Sequence, residues 1–128
     1  MTPSFSLFNY LFNLSTNKVH ENTIDYIPDN YATFPFVLVT RPRDERIENN
    51  DILGVLRKTI RVYGKRTDYV TVDELASKID AFTSLRFSSN GYSFFRTGID
   101  ITPLIEDLNG TQLIHYSITL IFNYNKER

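Results

Sequence analysis

Histidines and carboxylates are the residue types in this chain most able to do chemistry, and their spacing supports little of it. His20 and His115 each lack a second histidine or a carboxylate at metal-ligand spacing, and the chain has no cysteine. His115 alternates with Ser117 and Thr119 along a predicted strand, which is typical of a histidine at a surface or an interface. The sequence therefore predicts no metal site and no cofactor.

The motifs of nucleotide-binding and hydrolytic enzymes are absent from the sequence. The five glycines are isolated, none precedes a Lys-Ser or Lys-Thr pair, and no Gly-x-Ser-x-Gly motif occurs. Several acids lie between Asp44 and Asp51, but this charged segment cannot by itself hold catalytic groups to about half an ångström. We therefore predict that the protein is not an enzyme.

A basic group near the middle of the chain suggests a binding surface. Arg57 and Arg61 alternate on one face of a predicted strand, and Tyr63 shares that face. Such a patch could bind single-stranded nucleic acid by stacking bases on the aromatic ring. The net charge of −1 favours instead a solvated sheet face or ion pairs with another subunit.

The composition favours one globular domain folded in a reducing compartment. The chain of 128 residues is 14% aromatic and has no cysteine, so it can bury a core without disulfides. The apolar opening from Phe5 to Leu14 is too short to span a bilayer and lacks the features of a signal peptide. We predict a single domain over residues 1–128, made in the cytoplasm and not associated with a membrane.

The first half of the chain predicts a helix and two strands. Thr2 and Pro3 form a helix start, and apolar residues at helical spacing extend this helix over 3–16. Residues 34–40 are apolar on both faces, as in a fully buried strand. Residues 55–63 alternate between apolar and polar, as in a strand with one face in the core.

Charge is concentrated between these two strands. The segment from Arg41 to Asp51 is mixed in sign and poor in apolar residues, so residues 42–53 should form a mobile loop. Lys58 is a charged residue on the apolar side of the second strand, and we expect it at the open end of the sheet.

The second half begins with a strong helix signal. Thr71 and Glu74 match a capping box, and apolar residues follow at helical spacing over 72–85. Ile79 and Phe82 should pack on apolar residues of two strands. Those residues are Ile60, Val62, Ile118 and Leu120.

Two more strands follow this helix. An Asn-Gly pair at 90–91 predicts a turn that opens a strand over 92–101. Pro103 and a second Asn-Gly pair at 109–110 are expected to bracket a connection, and the longest alternating run predicts a strand over 112–124. The order α-β-β-α-β-β predicts an α+β domain, in which a mostly antiparallel sheet of about four strands packs against two helices. A long charged loop joins strands 1 and 2.

Three strand motifs accompany the apolar N-terminal helix, the charged loop and the capped helix. They are Tyr-x-x-Phe-Pro-Phe-Val-Leu-Val (Tyr31 to Val39), Ile-Arg-Val-Tyr-Gly (Ile60 to Gly64) and His-Tyr-Ser-Ile-Thr-Leu-Ile-Phe-Asn-Tyr (His115 to Tyr124). In their order and spacing, the chain resembles the tail terminator, or tail completion, proteins of long-tailed bacteriophages. This group includes minor capsid and head–tail joining proteins, and the resemblance covers nearly the whole chain.

The resemblance implies a structural virion protein without catalytic residues or cofactors. Its partners would be itself, in a hexameric ring, the major tail tube protein below and a head-completion (connector) protein above. The ring would end polymerisation of the tail tube and offer a docking surface to the head, while DNA passes through its lumen without sequence-specific contact. The protein would then occur in the host cytoplasm during assembly and at the head–tail junction of the virion.

The charged loop and the polar face of the next strand are the predicted interface with these partners. Exposed ion pairs stabilise a monomer by only about 0–1 kcal/mol each, whereas complementary charges guide partners into register. The predicted interface residues are Arg41, Arg43, Arg46, Glu48, Arg57 and Arg61. Alternatively, these charges only solubilise the loop.

Two other functions stay open at this point. One is a different head–tail connector or head-completion protein with a similar role in a ring. The other is an unrelated small α+β enzyme or ligand-binding domain, which a deep pocket with convergent polar groups would favour.

Overall fold

The helices lie in the first and middle thirds of the computed structural model. The residues described are 2–31, 33–42, 52–108 and 110–127. In these ranges, α1 spans Pro3–Leu14 and α2 spans Tyr69–Thr83. A π-helical turn at Ser15–Val19 extends α1, and a 3-10 turn at Arg66–Asp68 leads directly into α2.

Six strands occur in the described part of the chain and form one sheet that curls into a half-barrel. They are β1 (Thr23–Ile24), β2 (Phe36–Val39), β3 (Leu53–Lys65), β4 (Phe87–Ser89), β5 (Tyr92–Leu108) and β6 (Thr111–Lys126). Their order across the sheet is β1-β2-β3-β6-β5-β4. β1 is parallel to β2, and the other neighbouring pairs are antiparallel.

Both helices pack against the same face of this sheet, which we call the core face. Leu11 of α1 and Ile79 of α2 share a buried cluster with Ile60 of β3 and Ile118 of β6. Because side chains alternate along a strand, the neighbours of these strand residues point to the opposite face, which we call the outer face. The outer face carries most of the polar residues of β3, including Arg57.

The predicted fold of about four strands packed against two helices is wrong. Most of the secondary structure in the described residues is strand, and the six strands curl around the core. The two additional strands, β1 and β4, are only two and three residues long. Such short segments show no period-2 pattern, so they become strands only through pairing with β2 and β5.

Three local predictions are confirmed. Thr2 Oγ1 accepts a hydrogen bond from the Phe5 backbone N–H at 3.2 Å, and Pro3 opens α1. Every residue of β2 is buried, as expected of a strand that is apolar on both faces. Asn90 and Gly91 have φ values of 49° and 84° and close the two-residue hairpin between β4 and β5.

The start and the buried face of α2 differ from the prediction. The 3-10 turn continues into α2, so the helix begins at Tyr69 and Thr71 lies inside its first turn instead of capping it. Thr83, four residues after Ile79, takes the next buried position. Phe82 is therefore 40% exposed and absent from the core cluster, so its predicted packing on the sheet is wrong.

Lys58 is buried beneath α1 and is not at an open end of the sheet. Its side chain is only 3% exposed, its Nζ donates a hydrogen bond to the carbonyl oxygen of Thr40, and it lies 5.8 Å from the centre of the Phe8 ring. The curl of the sheet brings α1 over this position. An ammonium group can lie there because a backbone carbonyl oxygen and the face of an aromatic ring both stabilise its positive charge.

A β-bulge turns Arg96 of β5 toward the end of α2. Arg96 is opposite Phe122 and Gly98 is opposite Ile121, so Thr97 is the extra residue of the bulge. The Arg96 Nη1 donates one hydrogen bond to the carbonyl oxygen of Asp80 at 2.9 Å. It donates a second to the hydroxyl of Thr83, in the last turn of the helix. It also lies 2.8 Å from the Asp80 carboxylate. This arginine therefore ties α2 to β5.

We expect Arg96→Met to lower the free energy of unfolding by about 2 kcal/mol, because the change keeps the apolar stem and removes charged hydrogen bonds. Urea denaturation measures the loss. Lys78→Met, at an exposed position of the same helix, is the matched control and should change stability by less than about 0.5 kcal/mol. Equal effects of the two changes would show that the contacts to α2 contribute nothing.

Candidate interaction surface

The structure places the described members of the predicted interface on or beside the outer face. Arg57 is exposed and Arg61 half-buried on β3, and neither forms an ion pair with any other described residue. Arg41 follows β2, and its Nε lies 2.8 Å from Asp25 Oδ2. Tertiary structure thus brings these three arginines to one side of the sheet.

The rest of the predicted interface falls on residues 43–51, which lie outside the described residues. This applies to Arg43, Arg46 and Glu48, and to most of the loop predicted at 42–53. The two ends of that loop are described: Pro42 lines a groove, and β3 already begins at Leu53.

That groove lies at the β1–β2 edge of the sheet and has a volume of about 530 Å³. We call it the β2 groove; its lining residues are Asp25, Tyr26, Ile27, Leu38, Thr40, Arg41 and Pro42. Leu38 belongs to the outer face and is the cross-strand neighbour of Arg61, so the groove adjoins the basic residues of β3, Arg57 and Arg61. Its charged residues, Asp25 and Arg41, bond to each other. The groove therefore offers an apolar floor with a basic border.

An aromatic cluster occupies the outer face next to this basic surface. The ring of Tyr63 stacks on Phe36 with centroids 4.8 Å apart and packs against His115 at 4.6 Å. Burial raises the pKa of Tyr63, the negative charge of Glu106 raises it further, and Arg61 acts in the opposite direction. Because Tyr63 is packed between its neighbours, it offers no free ring face on which a nucleic-acid base could stack.

His115 is buried, which corrects the expectation of a surface or interface histidine. It is only 6% exposed, and Tyr63 covers it. The His115 Nδ1 lies 2.9 Å from Glu106 Oε1, but the two atoms do not have hydrogen-bond geometry. The acid on β5 therefore lies beside the aromatic cluster.

The other edge of the sheet is open along most of β5. The short β4 pairs only with residues 92–94, and the remainder of β5 has a strand partner only on its β6 side among the described residues. Three large apolar side chains are exposed there: Ile101 (38%), Leu104 (46%) and Ile105 (61%).

The same stretch of β5 is acidic. It contains Asp100, Glu106 and Asp107, and no lysine or arginine occurs in residues 97–113. We call residues 97–107 the β5 edge. It combines an open backbone, apolar side chains and a single sign of charge, a combination that marks interaction sites on protein surfaces.

The sequence alone does not show the β5 edge, because Pro103 predicts the end of a strand. Proline is tolerated on edge strands, where its missing N–H faces away from the sheet. The signal was nevertheless present, since the apolar residues Ile99 and Ile101 continue at period 2 through Pro103 to Ile105. The pairing of β5 with β6 continues as far as Leu108, and only this pairing shows that β5 passes through Pro103.

On α2, a second polar contact fixes the helix start to the sheet. The hydroxyl of Tyr116 on β6 donates a hydrogen bond to Asp73 Oδ1 at 3.0 Å, and its ring meets that of Tyr69 edge-on. Hydrogen bonding with Tyr69 is the largest cause of a raised Tyr116 pKa, followed by burial and by Asp73. These contacts are structural, because they hold the start of α2 over β6.

No protein-family model matches the chain, and no curated protein matches its sequence. Among the residues that the structure describes, no helix has the length and apolar character needed to cross a membrane. Within the same residues, no three histidines or acids are grouped so that they could hold a metal ion.

Proposed function

We propose that the protein is a structural subunit of a bacteriophage tail, and that it forms a ring at the end of the tail nearest the head. There it ends polymerisation of the tail tube and provides the surface on which the head docks. The observation that carries the proposal is the presence of two different open surfaces on one sheet, the β5 edge and the β2 groove. A subunit that binds its neighbours through two different surfaces closes into a ring when the rotation between copies permits it.

In this role the protein does no chemistry, and its surfaces are its functional sites. The partners are other copies of the chain, in a hexamer as the family resemblance implies, the tail tube protein and the head-completion protein. DNA crosses the lumen without sequence-specific contact. Arg57 and Arg61 form no ion pair with another described residue, and Arg41 is 71% exposed. These three arginines support the proposal, because such charges are better suited to binding a partner than to stabilising the monomer.

Deletion of the gene in the virus that encodes it tests the proposal. Electron microscopy of infected-cell lysates should show tails that vary in length or exceed the normal length, together with heads that carry no tail. Complementation with the intact gene should restore uniform, joined tails. Tails of normal length beside unattached heads would instead assign the head-completion role. Unchanged tail length and unchanged head attachment would refute both.

A further inference from the structure

We propose that the β5 edge of one copy docks into the β2 groove of the next, so that the subunits join head to tail. This deepens the proposed function, on which its biological setting rests, and names the partner of both surfaces as a second copy of the chain. β1 and β2 lie at one side of the sheet order and β5 lies near the other. Each copy can therefore use both surfaces at once, which a closed ring requires.

Charge complementarity identifies the occupant of the groove. The β5 edge contributes Asp100 and Asp107 without any base between residues 97 and 113. The border of the groove contributes Arg57 and Arg61, which form no ion pair with other described residues. Opposite charges on the two surfaces attract a second copy and disfavour contacts between two surfaces of like charge.

Both surfaces also expose apolar side chains. Leu104 and Ile105 are exposed on the β5 edge, and they project from its two opposite faces because side chains alternate along a strand. Tyr26 and Ile27 line the groove and are 68% and 38% exposed. Docking would remove both sets of apolar side chains from water, which supplies the main driving force for association.

Pairing of two β5 edges with each other is disfavoured. An antiparallel pair centred on Pro103 would place Asp100 of one copy opposite Glu106 of the other, and like charges directly opposite each other destabilise a sheet. Pro103 also lacks the N–H that a central ladder position needs. In this register two β5 edges therefore do not pair, whereas a basic partner surface can bind the edge.

The first experiment places a charge in the apolar part of the β5 edge. Ile105→Arg should raise the concentration at which half of the protein is assembled by at least about tenfold, as measured by sedimentation velocity. Val70→Arg is the matched control, because Val70 is a similarly exposed apolar residue (69%) on α2, outside both surfaces. Circular dichroism checks that both variants fold. Equal assembly of the two variants would remove the β5 edge from the interface.

The second experiment tests which surfaces meet. The variant Asp100→Lys with Asp107→Lys reverses the edge, and Arg57→Glu with Arg61→Glu reverses the border of the groove. Each variant alone should remain monomeric, whereas an equimolar mixture should assemble, since each edge then finds a groove border of opposite charge. All four changes in one chain should also restore assembly. Glu106 is left unchanged because it contacts His115.

The possible outcomes separate this inference from the proposed function. If the groove variant alone assembles like the wild type, the groove is not the acceptor, and the inference fails while the tail function stands. A wild-type protein that is monomeric at every concentration also overturns the inference. If the copies join as described but deletion of the gene leaves tails normal, the head-to-tail joint stands and the tail function fails.

Discussion

Ile79→Ala should lower the free energy of unfolding by about 3–5 kcal/mol, one of the largest losses expected for a single substitution in this protein. Ile79 is 1% exposed, and it lies where α2 crosses the middle of the sheet. Its neighbours in the core cluster, Ile60 and Ile118, are held by strand pairing on both sides and cannot move to fill the cavity. Chemical denaturation with a two-state analysis measures the change.

Phe82→Ala is the matched control, because it removes a larger side chain from the same helix. Phe82 is 40% exposed, so we expect a loss of at most about 1 kcal/mol. The order of the two effects is the test, since residue size alone predicts the reverse. A larger loss at Phe82 would mean that α2 is rotated on the sheet relative to the structure.

Gly64→Ala should cost about 1–3 kcal/mol, because a methyl group at this position has no room. A Cβ on Gly64 would lie 2.5 Å from Val72 Cγ2 and 3.3 Å from Asp68 Cβ, where the start of α2 crosses β3. Val72 is fully buried and cannot turn away. The helix would have to lift off the strand, which would also disturb the core behind it.

Gly98→Ala provides the control for this prediction. Its Cβ would meet the Ile121 side chain no closer than 3.5 Å, which is ordinary van der Waals contact. Since alanine also restricts the unfolded chain, we expect a change of less than about 1 kcal/mol in either direction. Thermal denaturation of both variants compares them directly. Equal losses would mean that glycine is needed at β3 for its backbone and not for the close approach of α2.

The position of α2 links the stability of the fold to its proposed function. The helix is held over β3 and β6 by Val72 and Ile79 in the core, and Arg96 fastens its last turn. This arrangement covers the centre of the sheet and leaves the distal half of β5 without a helix. The surfaces proposed for assembly are thus the parts of the sheet that the core does not use.

The sequence by itself determined the features that depend on neighbours within a few residues. The Thr2-Pro3 helix start, the buried β2 and the Asn90-Gly91 hairpin follow from capping, apolar runs and turn chemistry, which act locally. The sequence itself likewise contains no metal-ligand or nucleophile motif.

Tertiary structure alone decided which strands pair and which faces are covered. β1 and β4 form only because they pair with β2 and β5. β5 continues through Pro103 because it pairs with β6 along its whole length. Phe82 is exposed and Lys58 buried because the curl of the sheet sets where the helices lie. The physical reason is that spacing along the chain reports the period of an element, whereas pairing and burial depend on residues far away in sequence.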